Sequence, residues 1–223
     1  TLYTLKLPFS VMLTLTNQRF EKSNHEAFQC IPNASSLNKR EILAQTPDRE
    51  AVNITGKVYL TTVNYNLTTD AMCLFAERKS TINKKRYIFT LGSTLRNNRT
   101  HLTTFETTLN LSKTGSHQKY NGMTYKFSPW APPMLRKMMY INKNRTCLVI
   151  VNNRNTSHET AKCQLLQPAE FANDTIPEDC WNVFDQNCPG EKITLYEQTC
   201  QGLPVVPLQM PSQSTPSLKE YNE

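Results

Sequence analysis

From Asn53 to Leu166 the chain is built of short runs in which apolar and polar positions alternate, rich in Thr, Tyr, Phe and Val and separated by polar clusters, with no helical period. That pattern predicts strands over 54–64, 71–78, 86–92, 102–111, 120–127, 146–152 and 161–167. An eighth is predicted over 7–16, where PFSVMLTLT alternates before running into polar NQRFEKSN. Strands in simple succession, joined by hairpin-length loops, predict an all-β body, either an up-and-down barrel or a sandwich. One helix follows. Thr175 is a candidate N-cap, Pro177 suits an early helical position, and Glu178 and Asp179 complement the positive end of the helix dipole. Cys180, Trp181, Phe184 and Cys188 then share one face, and Pro189-Gly190 ends the helix. ITLYEQTC alternates up to Cys200, and the Pro-, Ser- and Gln-rich remainder reads as a disordered or loosely docked tail. The expected organisation is an extension at 1–6, one body over 7–200 and a tail over 201–223.

Eight N-x-S/T sequons, at Asn33, Asn53, Asn66, Asn98, Asn110, Asn144, Asn155 and Asn173, point to a secreted glycoprotein. They also orient the strands, because a glycosylated side chain faces outward and its neighbours alternate. With Asn110 outside, Phe105, Thr107, Leu109 and Leu111 face inward. The same parity from Asn66 sends Tyr59, Thr61, Val63 and Tyr65 inward. RYIFTL adds Tyr87, Phe89 and Leu91 on one face, and GMTYKF adds Met123, Tyr125 and Phe127. The expected lining is therefore apolar and aromatic with a few hydroxyl tips, suited to a small ligand in a barrel just wide enough to hold one.

Composition narrows the function. The seven cysteines contain no C-x-x-C pair and lie among few histidines, which favours disulfides over a metal site. No apolar run approaches the ~18 residues of a membrane-spanning helix. The best, Leu5 to Leu15, is interrupted by Lys6, Pro8, Ser10 and Thr14. The net charge of +7 is spread over short clusters, Arg78-Lys79, Lys84-Lys85-Arg86 and Arg136-Lys137, which read as solvated hairpin tips. No nucleic-acid-binding module is evident. His25, His101, His117 and His158 lie singly, Gly115-Ser116-His117 lacks the setting of a nucleophile elbow, and six scattered glycines form no phosphate cradle. An enzyme is not expected, nor a cofactor.

The C-terminal block carries a resemblance. TCLVIVN, AKCQLLQP, IPEDCWNVFDQNC and LYEQTC, in that order, resemble the end of the tick salivary lipocalins, the histamine-binding-protein family. Pro177, Cys180, Phe184 and Cys188 match its helix motif, Tyr196 and Cys200 its closing motif. An N-terminal strand followed by a cysteine, here Cys30, also fits. The resemblance implies an eight-stranded lipocalin barrel stapled by disulfides. It implies the pairs Cys30–Cys200 and Cys147–Cys180; Cys163–Cys188 is expected as the third, with Cys73 unpaired. It further implies a secreted, monomeric protein of tick saliva that holds a small hydrophobic or amine mediator of the host, or alternatively binds a host immune protein. Two positions depart from the amine-binding pattern: Gln164 stands where an acidic residue is expected and Leu166 where Trp is expected. Between residues 54 and 167 the carboxylates are Asp70, Glu77, Glu106 and Glu159. Glu106 faces out by the Asn110 parity and Asp70 and Glu159 fall in loops, which leaves Glu77 as the candidate lining carboxylate. A buried ammonium needs compensating charge, so a sterol or fatty-acid derivative is expected ahead of histamine.

Overall fold

The structure, a computed structural model, describes residues 48–153 and 159–209. A short helix, α1 (Asp48–Val52), leads into eight strands: β1 (Lys57–Val63), β2 (Ala71–Asn83), β3 (Arg86–Leu95), β4 (Asn98–Ser112), β5 (Gly122–Tyr125), β6 (Met134–Ile141), β7 (Leu148–Asn152) and β8 (Cys163–Pro168). Each is antiparallel to the next, and β8 pairs with β1, so the sheet closes into an up-and-down barrel. The tightest connections are two-residue hairpins. In the β2–β3 turn, Asn83 Oδ1 accepts the Lys85 N–H at 2.9 Å, the local bond that suits Asn to turns.

The barrel begins fifty residues later than the first predicted strand. The stretch over 7–16 lies outside the described residues, and the eighth strand is β6, MLRKMMYI. Its Arg136-Lys137 pair masks an alternation that the structure makes plain: Arg136 and Met138 are buried while Leu135, Lys137 and Met139 are half-exposed. The predicted hairpin tip at Lys84-Lys85-Arg86 is one, but Arg136 is 5% exposed and belongs inside the sheet.

Beyond β8 the chain straps the barrel from outside. Helix α2 (Glu178–Asn187) buries Cys180, Val183 and Phe184 against Tyr140, Val149, Val151 and Leu165. Its N-cap is Pro177 rather than Thr175, without a side-chain cap, and the Pro177 carbonyl accepts the Trp181 N–H. Disulfides Cys147–Cys180 and Cys163–Cys188 pin both ends of the helix to the starts of β7 and β8. Asn64 locks the same corner, donating to the Ala161 and Pro189 carbonyls and accepting the Cys163 N–H, each at 2.7 Å. The strap continues through β9 (Ile193–Thr194) on β1 and a 3-10 turn (Gln198–Gly202) to β10 (Val205–Pro207), which pairs in parallel with Leu102–Thr104 of β4. Residues 201–209, expected as loose tail, thus cover an open edge of β4, the usual fate of an unpaired strand edge. Residues 210–223 lie outside the described residues.

The third bridge corrects the expected pairing. Cys200 is bonded to Cys73, not to Cys30, with their Cα atoms 5.3 Å apart. Cys73 occupies an irregularity in the β1–β2–β3 ladder at φ 53°, its N–H donating to the Leu195 carbonyl at 2.8 Å. A residue in the left-handed region turns the strand locally, as bulges do, and here it delivers the sulfur to the strap among Tyr59, Met72, Phe75 and Tyr196. The misplacement follows from the misplaced first strand: the cysteine that follows the barrel's first strand is Cys73. Cys30 lies outside the described residues.

Candidate ligand-binding site

Inside the barrel a cavity of about 70 Å³ is walled by apolar side chains. Ala51 and Val52 of α1 close one end of it. The wall comprises Val58 and Ala76, then Phe89, Leu91 and Leu109, then Met123, Tyr125 and Met138, and finally Leu148, Ile150 and Leu166. The registers explain the grouping, because Val58 pairs with Ala76, Ala76 with Leu91, Met138 with Ile150 and Leu148 with Leu166, so one face of each strand points inward. No carboxylate lines this cavity.

A polar group lies on the inner face toward the end opposite α1. Arg136 pairs with Met123 on one side and Asn152 on the other. Its guanidinium carbon sits 4.7 Å from the Tyr125 ring centre and 5.6 Å from that of Phe127. Arg136 Nε and Nη1 and Asn152 Oδ1 are shut off from solvent and have no hydrogen-bond partner. Beside them Gln164 Nε2 donates to the Tyr65 hydroxyl at 2.6 Å. Burial raises the pKa of that hydroxyl, against the lowering effects of the Gln164 bond and the Arg136 charge.

Of the residues expected to line the barrel, Phe89, Leu91, Leu109, Met123 and Tyr125 do so. Tyr87 packs in the same core, its hydroxyl donating to the Lys84 carbonyl. Phe105 pairs with Leu91 but is half-buried and off the cavity wall. Phe127 lies past the end of β5, 48% exposed. The alternation of β1 is broken by a register shift between Leu60 and Thr62. Ahead of the shift Val58 faces in with Ala76, and beyond it Val63 lies opposite Gln164, in the inward row of Ile150. Tyr59 therefore faces the strap, with its ring 4.9 Å from Tyr196 and its hydroxyl donating to the Cys200 carbonyl. Val63 is the register partner of Gln164 and packs with Leu60 and Leu195, and Tyr65 meets Gln164 in the polar group on the inner face, off the cavity wall. Glu77 is also outside. It is half-buried, next in sequence to the inward Ala76, and its charge acts on Tyr59. Missed were Met138 and Arg136, both on the strand that the sequence pattern concealed, and with them the wall residues Ala51, Val52, Val58, Ala76, Leu148, Ile150 and Leu166.

Asn53, Asn66, Asn98, Asn110, Asn144 and Asn173 are all exposed; Asn33 and Asn155 lie outside the described residues. Cys147, Asp179 and Cys180 bring three potential metal-ligand atoms together. Both sulfurs are tied up in their mutual disulfide and Asp179 accepts the Tyr140 hydroxyl at 2.9 Å, so the group is a clasp between helix and barrel.

With the barrel, strap and bridges in view, comparison decides the family. Residues 47–202 match the profile described as tick histamine binding protein, a span that covers the barrel and the strap to the end of the 3-10 turn. The chain belongs to the tick histamine-binding protein family. Among curated proteins, none matches the sequence closely. Solved structures share the fold at low identity. Japanin from Rhipicephalus appendiculatus, bound to cholesterol, is 14% identical with a TM-score of 0.50, covering 66% of this chain and 95% of japanin. The AM182 serotonin complex is 13% identical with a TM-score of 0.53, covering 70% of this chain and 92% of AM182. Insecticyanin from the tobacco hornworm Manduca sexta is 12% identical with a TM-score of 0.50, covering 75% and 90% respectively. The family's lipocalin barrel is a ligand-binding architecture, and no helix among the described residues is long and apolar enough to cross a membrane.

Proposed function

We propose that the protein is a secreted salivary lipocalin that sequesters a small host mediator in its barrel, taking a sterol or fatty-acid-type lipid in preference to histamine or another biogenic amine, and so blunts host defence at the bite. The observation that carries this reading is the cavity wall, apolar throughout with no carboxylate. A buried ammonium left without a counter-charge is strongly disfavoured, and here the nearby buried charge is itself positive, on Arg136. Relatives of the same fold hold both kinds of ligand, cholesterol in japanin and serotonin in AM182, so the wall chemistry has to decide between them. Secretion fits the exposed sequons and the disulfides.

The cavity of about 70 Å³ is smaller than the several hundred Å³ of a typical ligand site. Entry of a lipid therefore requires the wall to move. Met123 and Met138, unbranched and conformationally adaptable, are the wall residues best able to do so. Organic extraction of protein purified from a secretory host, followed by mass spectrometry, tests the reading: a lipid present in stoichiometric amount is the expected result. Protein that carries none and takes up neither sterol, fatty acid nor amine would overturn it.

The narrow cavity favours one second reading, a barrel that serves as a rigid frame whose loops and glycans engage a host immune protein. Trp130, 72% exposed on the β5–β6 connection, is the kind of anchor such a surface would use. Capture of a defined serum or cell-surface protein, lost in Trp130→Ala, would support that reading.

A further inference from the structure

Arg136 is difficult to account for as a structural residue. Its side chain is 5% exposed, and Nε and Nη1 donate to nothing. None of the ion pairs among the described residues involves it. Arginine remains protonated even when buried, so its positive charge persists in the barrel. The Tyr125 and Phe127 rings stabilise the cation in part, but aromatic contacts leave N–H donors unsatisfied, and each orphaned donor on a charged group costs more than a neutral one. A buried acceptor, Asn152 Oδ1, is orphaned on the adjacent strand.

Tyr125 links this group to the ligand cavity, since its ring both walls the cavity and lies against the guanidinium. Met123 walls the cavity too and is the register partner of Arg136. An apolar chamber thus ends beside a desolvated cation whose donors await an acceptor.

We propose that Arg136 is the anion-recognition residue of the barrel, and that the ligand is an amphipathic carboxylate whose head accepts hydrogen bonds from the guanidinium while its chain occupies the Met123–Met138 chamber. The geometry suits a carboxylate because either orphaned donor, Nε or Nη1, forms with the adjacent Nη2 a fork that gives it two parallel bonds. Asn152 Oδ1 then accepts from a ligand hydroxyl or a water carried in with the head group. Phe127, half-exposed at the end of β5, is the cover that gives way as the head enters. This inference rests on the lipid-carrier reading and narrows it from lipids in general to anionic ones.

The test uses oleate and methyl oleate, which share a chain and differ in charge, with displacement of a fluorescent fatty acid as the readout. Oleate is expected to bind at least tenfold more tightly than its ester. In Arg136→Met, which keeps length and loses charge, that preference should vanish through weaker oleate binding, with ester affinity held within about twofold. A shift of the Arg136 Nε resonance on adding oleate, but not on adding ester, locates the head group in the wild-type protein and needs no folded variant. Equal affinity for acid and ester, or an undiminished preference in Arg136→Met, would overturn the assignment and leave the carrier reading intact. Binding of neither, together with no uptake of sterol, would remove the carrier reading itself.

Discussion

Cys73–Cys200 spans 127 residues and ties the end of the strap to β2. In the chain-entropy treatment a loop of that length restricts the unfolded chain by about 5 kcal/mol, against nearly 4 kcal/mol for the 33-residue separation of Cys147–Cys180. The perturbation to make is the double replacement Cys73→Ser/Cys200→Ser, so that no thiol is left to pair with Cys30. Both cysteines are fully buried, so the replacement also exchanges sulfur contacts with Tyr59, Met72 and Tyr196 for small polar groups. About 5 kcal/mol is a large part of the 5–15 kcal/mol that holds a typical domain folded. For a chain of this size it corresponds to a fall in Tm of about 10–20 °C. Thermal unfolding monitored by circular dichroism, at matched concentration and without reductant, measures it directly. Non-reducing peptide mapping of the wild-type protein provides the independent check. An unchanged Tm, or a Cys30–Cys200 peptide in the map, would refute the reasoning.

Gly92→Ala should destabilise by about 1–3 kcal/mol in denaturant titration, because a Cβ there would lie 2.2 Å from Phe75 Cε1 and 2.8 Å from Thr104 Cγ2, and both belong to the packed sheet. Leu109→Ala should cost about 2–5 kcal/mol and enlarge the cavity, so a lipid that the wild-type protein admits slowly should enter it faster in stopped-flow fluorescence. Burial raises the Tyr59 hydroxyl to about 12, with Tyr196 and Glu77 adding to the shift. Its neutral form is the one favoured by folding, so its contribution is complete below pH ~10, the value of an exposed phenol, and is lost as pH rises through about 12. Tyr59→Phe should accordingly flatten the fall in stability between pH 10 and 12, while the loss of its long hydrogen bond to the Cys200 carbonyl at neutral pH costs no more than ~1 kcal/mol.

Seven of the eight barrel strands were legible because alternation on a half-buried sheet is a local signal, as in RYIFTL and LTTFETTLNLS. β6 was not, because its inward residues include a charged one: Arg136 breaks the apolar pattern at the very position where the barrel interior is chemically unusual. The Asn110 parity held because the sequon lies within β4, which runs Asn98–Ser112. The Asn66 parity failed at Tyr59 because the register of β1 shifts between Leu60 and Thr62, and a break of one residue exchanges the two faces of a strand. The family was readable in the strap, where cysteines and aromatics have fixed spacing. The pairing of Cys200 was not, since Cys73 reaches it through a backbone irregularity at φ 53° that leaves no mark on composition. Glu77 was assigned to the interior after the other carboxylates had been placed elsewhere, and the register puts its neighbour Ala76 there instead.

The central claim is that the barrel selects lipid over amine because its wall carries no negative charge. Competition against one bound fluorescent lipid, with cholesterol and oleate set beside histamine and serotonin at equal concentrations, tests it most directly. Displacement by a lipid at micromolar concentration or below, with none by either amine up to millimolar, is the predicted result. Displacement by histamine or serotonin at lower concentration than by either lipid would contradict it.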